Sequence, residues 1–136
     1  RGCKVKKFLM ALTLLSLIGC GEKKTPVVEP QSSEKFKLDL VWQTGPYAEK
    51  FSSAKLIFKD KNSNPLNDVT GLKFVPYMPS HGHGTAMDDQ KVSPLKAANE
   101  FLVENIYFVM GGPWVITVTA TTQGQIGTAQ VAVNVP

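Results

Sequence analysis

Phe36, Leu38, Leu40 and Trp42 alternate with Lys37, Asp39, Val41 and Gln43, and this period of two limits the possible folds more than any other feature of the chain. Successive side chains of a strand point to opposite faces, so the pattern describes a strand with one buried face and one wet face. The same pattern recurs downstream. Lys55 to Lys59 is a second, shorter strand, followed by turn chemistry from Asp60 to Asp68, where Asn62, Asn64, Pro65 and Asn67 crowd together. Leu72 to Met78 is a third, with Leu72 and Phe74 on one face and Lys73 and Val75 on the other. Phe101 to Met110 and Trp114 to Thr122 are rich in β-branched and aromatic residues. A turn at Gln123-Gly124-Gln125 leads into Ile126 to Val135, where Val131, Val133 and Val135 alternate. Lys91 to Ser93 adds a short candidate, and Pro94 to Asn99 has a weak helical leaning. About seven strands separated by turn residues predict an all-β protein, an immunoglobulin-like antiparallel β-sandwich without the cysteine pair of antibody domains. Trp42 and Trp114 are expected to anchor its core.

The chain ahead of these strands has a different character. Arg1, Lys4, Lys6 and Lys7 form a basic start, and Phe8 to Ile18 is apolar except for Thr13 and Ser16. A basic flank before a short apolar run is the layout of a secretory signal. At about 11 residues the run falls short of the ~20 that a membrane-spanning helix needs. Leu17-Ile18-Gly19-Cys20 resembles the lipobox of bacterial lipoproteins, which implies a signal peptide over 1–19 and a lipid on Cys20 that tethers the mature chain to a membrane. Gly21 after that cysteine, rather than Asp, implies the periplasmic face of the outer membrane if the source is Gram-negative. The chain opens on Arg1, so its start is expected to lie upstream or to have been trimmed. Residues 20–35, rich in Lys, Glu, Pro, Ser and Gln, have the composition of a flexible tether. Residues 36–136 then form one domain-sized unit.

Loss of the signal changes the electrostatics. The full chain carries 15 basic and 11 acidic residues, but four of the basic ones leave with the signal, and the remainder is close to neutral. No basic patch of the kind that nucleic acid requires is visible. Cys3 leaves with the signal and Cys20 is taken by lipid, so no pair remains for a disulfide. Any metal chemistry falls to histidine, methionine and carboxylate.

One segment concentrates those groups. Tyr77 to Asp89 contains both histidines of the protein, His81 and His83, and two of its four methionines, Met78 and Met87. An H-x-H pair on extended backbone presents both imidazoles on one side. Imidazole suits copper, zinc, nickel and iron, whereas a thioether selects copper, above all Cu(I). Gly82 and Gly84 allow the backbone to bend around an ion. The alternative is a solvent-exposed loop whose histidines bind nothing, with Met78 and Met110 as core filler at strand ends.

Two motifs carry a family resemblance: Met78-Pro79-Ser80-His81-Gly82-His83, and Met110-Gly111-Gly112-Pro113-Trp114 ahead of the penultimate strand. With the run Asn64-Pro65-Leu66, they make most of Phe36 to Val135 resemble the FixH/YtkA-like family of small exported β-sandwich domains. The resemblance implies an immunoglobulin-like fold and a role in copper handling or respiratory-oxidase assembly outside the cytoplasm. The expected partner is an envelope protein or a copper-oxidase assembly protein. Met78, His83 and Met110 match the family pattern, while His81 stands where the family has a second methionine. That substitution weakens the case for Cu(I) selectivity rather than for copper. A lipid anchor, in place of the transmembrane segment of FixH-type members, favours the YtkA-like branch. Gly112 and Trp114 are assigned to a tight turn and to core packing. The expected metal donors are therefore Met78, His81, His83, Met87 and Met110.

Catalysis finds little support. Ser80 beside His81 is adjacency in sequence and not a triad. Asp88-Asp89 lacks the oxygen-rich surroundings of a calcium loop and suits a solvated turn. The chain is expected not to be an enzyme. Besides a copper protein, the sequence allows a metal-free immunoglobulin-like interaction or assembly module of the cell envelope.

Overall fold

In the computed structural model, which describes residues 35–136, eight strands form two four-stranded antiparallel sheets. The signal segment 1–19, Cys20 and all but the last residue of the tether lie outside the described residues. The strands are β1 (Lys37–Thr44), β2 (Phe51–Lys59), β3 (Thr70–Met78), β4 (His83–Gly84), β5 (Lys91–Pro94), β6 (Glu100–Tyr107), β7 (Gly112–Thr122) and β8 (Gln125–Val135). One sheet has the order β1-β2-β6-β5 and the other β4-β3-β7-β8. In sequence order this is the ABED and C′CFG arrangement of an immunoglobulin-like sandwich, as the alternation predicts.

The expectation of about seven strands holds; the described residues add an eighth, β4, two residues long and inside the histidine segment that reads as a loop in sequence. Two other expectations need correction. Pro94 to Asn99 is not helical. Leu95 N–H donates to Glu100 O and Glu100 N–H to Ala97 O, both at 2.9 Å, which closes the β5–β6 connection as a turn. Six residues are too few to nucleate a helix without tertiary support. Trp42 is only half-buried, because β1 is an edge strand and leaves part of the indole exposed.

Burial follows strand parity. Along β3, Phe74, Pro76 and Met78 are buried while Lys73, Val75 and Tyr77 are exposed. The core is strongly aromatic: Trp114, Phe36, Phe58, Phe74 and Phe108 are its largest fully enclosed side chains. Burying each contributes about 2–3 kcal/mol before entropy is charged against it. The rings form two groups. Phe58 packs against Phe36 and Phe101, with centroids 5.1 and 5.8 Å away. Phe108 packs against Trp42 and Trp114, at 6.0 and 5.2 Å.

The two ends of the sandwich differ. At the first, the chain enters: Lys35 and Phe36 pack over Gly127, where a Cβ would lie within 3.0 Å of both side chains. The connections there carry Asp60, Lys61, Asp68 and Lys96. At the second end, β1, β3, β6 and β8 finish and β2 and β7 begin. This end bears the exposed apolar side chains Tyr47, Phe51, Val109 and Met110, and the histidines.

Candidate metal site

The β3–β4 hairpin builds the candidate site. Gly82 sits at its tip with φ 68°, a left-handed conformation that glycine adopts without steric cost. Amide N–H groups of His81 and Gly82 donate to the carbonyl of Met78 at 3.2 and 2.9 Å, which closes the turn. The ladder then pairs Met78 directly with His83 and Tyr77 with Gly84. Directly opposed residues project to the same face with Cβ atoms roughly 4.5–5.5 Å apart, so the Met78 and His83 side chains are neighbours.

His83 is the member of the histidine pair held by a backbone hydrogen bond. Its Nδ1 lies 3.0 Å from the carbonyl oxygen of Gly84. A carbonyl only accepts, so Nδ1 is the donor, and in the neutral ring Nε2 is then the acceptor; a backbone carbonyl on one ring nitrogen is a usual way to orient a metal-binding imidazole. The ring is half-buried and meets the edge of the Trp114 indole, centroids 5.7 Å apart and planes at 72°. The His81 ring is exposed, with its centroid 5.8 Å from that of His83. Two imidazoles on one ion, each at a metal–nitrogen distance of about 2 Å, have centroids roughly 5–6 Å apart, so this spacing fits a shared ion.

The methionines divide. Met78 is 1% exposed and anchors the site from below; its Cε lies 3.2 Å from where a Cβ on Gly112 would be. Met110 is exposed and is joined to the site through Trp114, whose Nε1–H donates to the Met110 carbonyl at 3.0 Å. Met87 is also exposed and belongs to the next turn, where Gln90 N–H donates to its carbonyl at 3.0 Å. The structure thus brings Met78 and His81 beside His83, joins Met110 to the same end through its carbonyl on the Trp114 indole, and sets Met87 on the connection to β5. Asp88 and Asp89 are exposed on that same connection.

Among the described residues no group of three His, Cys, Asp or Glu side chains converges. A metal at this end would therefore rest on two imidazoles with thioether sulfur, a donor set that suits copper better than zinc, calcium or magnesium. Two participants are not apparent from sequence. The Gly84 carbonyl fixes the His83 tautomer, and Trp114, assigned above to packing, also touches both donor segments. A third group, the Thr85 hydroxyl, is buried without a hydrogen-bond partner two residues beyond His83.

The outer face of the β3-β7-β8 sheet carries a second feature. A groove of about 330 Å³ lies between Pro79, Pro113, Trp114 and Val133. A shallower one of about 560 Å³ lies over Val75, Tyr77, Thr117 and Gln130. They share Pro79 and Val115, and neither has a charged side chain in its lining.

The YtkA-like family model matches residues 31–119, and the chain belongs to that family. FixH-like proteins form a related family, so the resemblance carried by the Met78-Pro79 and Met110 to Trp114 motifs holds. YtkA-like is not a family of enzymes. No curated protein and no solved structure matches the chain.

Proposed function

We propose that this protein is a lipid-anchored accessory domain acting outside the cytoplasm, which binds copper at the β3–β4 hairpin for copper handling or oxidase assembly. The family supports an extracytoplasmic accessory role. The observation that carries the copper reading is the state of His83: Nδ1 is tied to the Gly84 carbonyl, Nε2 is left as an acceptor, and His81 is within bridging distance. His81 and His83 supply nitrogen, and Met78 or Met110 supplies sulfur. Bound copper would provide soft, redox-active coordination chemistry; the chain's own part is to hold His83 in one tautomer and to shield its inner side with Trp114. Because both oxidation states find donors in such a set, the site suits retention or transfer of copper more than strict selection of Cu(I).

The test is titration of the purified protein with Cu(I) and Cu(II) in competition with chelators of known affinity. The expected outcome is submicromolar binding that His83→Ala abolishes. Binding weaker than micromolar, or unchanged in the His81→Ala/His83→Ala double variant, would rule the reading out. The lipid on Cys20 is tested by mass spectrometry of protein recovered from membranes, with Cys20→Ser as the control.

The uncharged double groove over Val75, Tyr77, Pro79 and Val115 favours a second reading, a metal-free assembly module that binds another envelope protein by this sheet. Capture of a partner that survives loss of both histidines but not Tyr77→Glu would support it.

A further inference from the structure

We infer that Zn(II) at the His81–Gly82–His83 tip is completed by a second copy of this chain, whereas Cu(I) is held by one copy alone. The inference rests on the metal reading of that tip and adds an oligomeric response to it.

The chain has two histidines, and among the described residues no acidic or thiol group joins them. Zn(II) binds about four nitrogen, oxygen or thiolate donors in a tetrahedron. Thioether sulfur is a soft ligand that serves Cu(I) and contributes little to a harder divalent ion. A single copy therefore offers Cu(I) His83, His81 and a methionine, but gives Zn(II) only half its shell. Two copies related by a two-fold axis through the ion supply four imidazoles, and an isologous contact brings the same residues from both sides.

The surroundings of the tip permit that approach. His81 is exposed. A Cβ built on Gly82 meets no atom within 4 Å, so the turn projects into open space. Tyr47 and Phe51 are 47% and 55% exposed at this end, and Val109 and Met110 are 40% and 36% exposed; an end-to-end pair would cover this apolar rim. The chain enters the domain at the opposite end, where Lys35 crosses Gly127.

The test uses the full chain in detergent, purified without a polyhistidine tag, and measures mass and stoichiometry by native mass spectrometry and sedimentation. The probes are Zn(II) and Cu(I) alone. Zn(II) should convert monomer to dimer at one ion per two chains, strengthening self-association roughly tenfold or more, or about 1.4 kcal/mol. EDTA should reverse this and His81→Ala should prevent it, while Cu(I) should give a monomer with one ion per chain. A monomer that binds one Zn(II) with water completing the shell overturns the inference and leaves the copper reading intact. Dimers that persist in EDTA or in His81→Ala also overturn it. Failure to bind either ion removes the copper reading and the inference together.

Discussion

The imidazole of His83 meets the indole of Trp114 edge to face, with ring centroids 5.7 Å apart, and that indole donates to the Met110 carbonyl. One buried side chain thus connects the histidine hairpin to the methionine segment before β7. Trp114 is consequently a close reporter of the site. Cu(II) quenches a nearby indole, so one equivalent should remove most of the Trp114 emission. Trp42, the other tryptophan, stands behind Phe108, with centroids 6.0 Å apart, and should be quenched less. Trp42→Phe should keep the response and His83→Ala should lose it. Equal quenching in His83→Ala would show that copper sits elsewhere.

Asn99 is a buried polar group at the other end of the sandwich, 8% exposed. Its Nδ2 donates to the Phe58 carbonyl at 3.0 Å, while Phe58 N–H donates to the Asn99 carbonyl at 2.9 Å. The Phe58 carbonyl also accepts from Leu66 N–H at 3.2 Å, so Asn99→Ala does not orphan it. The expected loss is about 1 kcal/mol, the net value of one such bond. Asn99→Asp should cost more at neutral pH, because an ionised carboxylate cannot donate and faces that carbonyl. The difference should shrink in acid, where a protonated carboxyl regains a donor. Urea denaturation of both variants at neutral and acid pH measures it.

Strand parity was legible because it is local: Leu38, Phe74 and Val131 are buried where alternation puts them. β4 was not, since two residues carry no period. Pro94 to Asn99 misled because Leu-Lys-Ala-Ala favours helix, whereas the ladder between β5 and β6 demands a turn of that length. For the site, the histidine pair and the two methionine motifs could be read from sequence. The meeting of His83 with Trp114 could not, because it depends on β4 and β7 flanking β3 in one sheet. Met87 is exposed on the connection after β4, where its carbonyl closes the next turn.

Asp60 provides a pH-dependent feature outside the site. Its carboxylate accepts from the backbone N–H groups of Asn64 and Asn62 and from the Asn64 side chain, at 2.9, 2.8 and 3.1 Å. These bonds favour the ionised form, those from Asn64 most, and hold the pKa below the ordinary 3.8. A depressed carboxyl stabilises the native state above its unfolded value, and that contribution is lost as pH falls through the lowered one. The Asn62 and Asn64 amide resonances should therefore titrate together with a midpoint below 3.8. Asp60→Asn should flatten the acid side of the stability profile. A midpoint at or above the ordinary value would contradict the hydrogen bonding.

Gly112 joins backbone strain to the site. Its φ of 122° is one that L side chains rarely adopt, and a Cβ there would lie 3.2 Å from Met78 Cε. Gly112→Ala must therefore either shift the start of β7 or push the Met78 thioether aside, and Met78 is paired with His83. A cost of about 1–3 kcal/mol is expected from the forced backbone. Gly124 is the matched control: its φ is 70°, no atom lies within 4 Å of a Cβ there, and it is at the far end of the sandwich. Gly124→Ala should also lose stability, yet leave copper affinity unchanged. Gly112→Ala should weaken Cu(I) several-fold more than Cu(II), since sulfur matters most to the reduced ion. Should both variants bind Cu(I) as the parent does, Met78 is core filler and the sulfur donor is Met110.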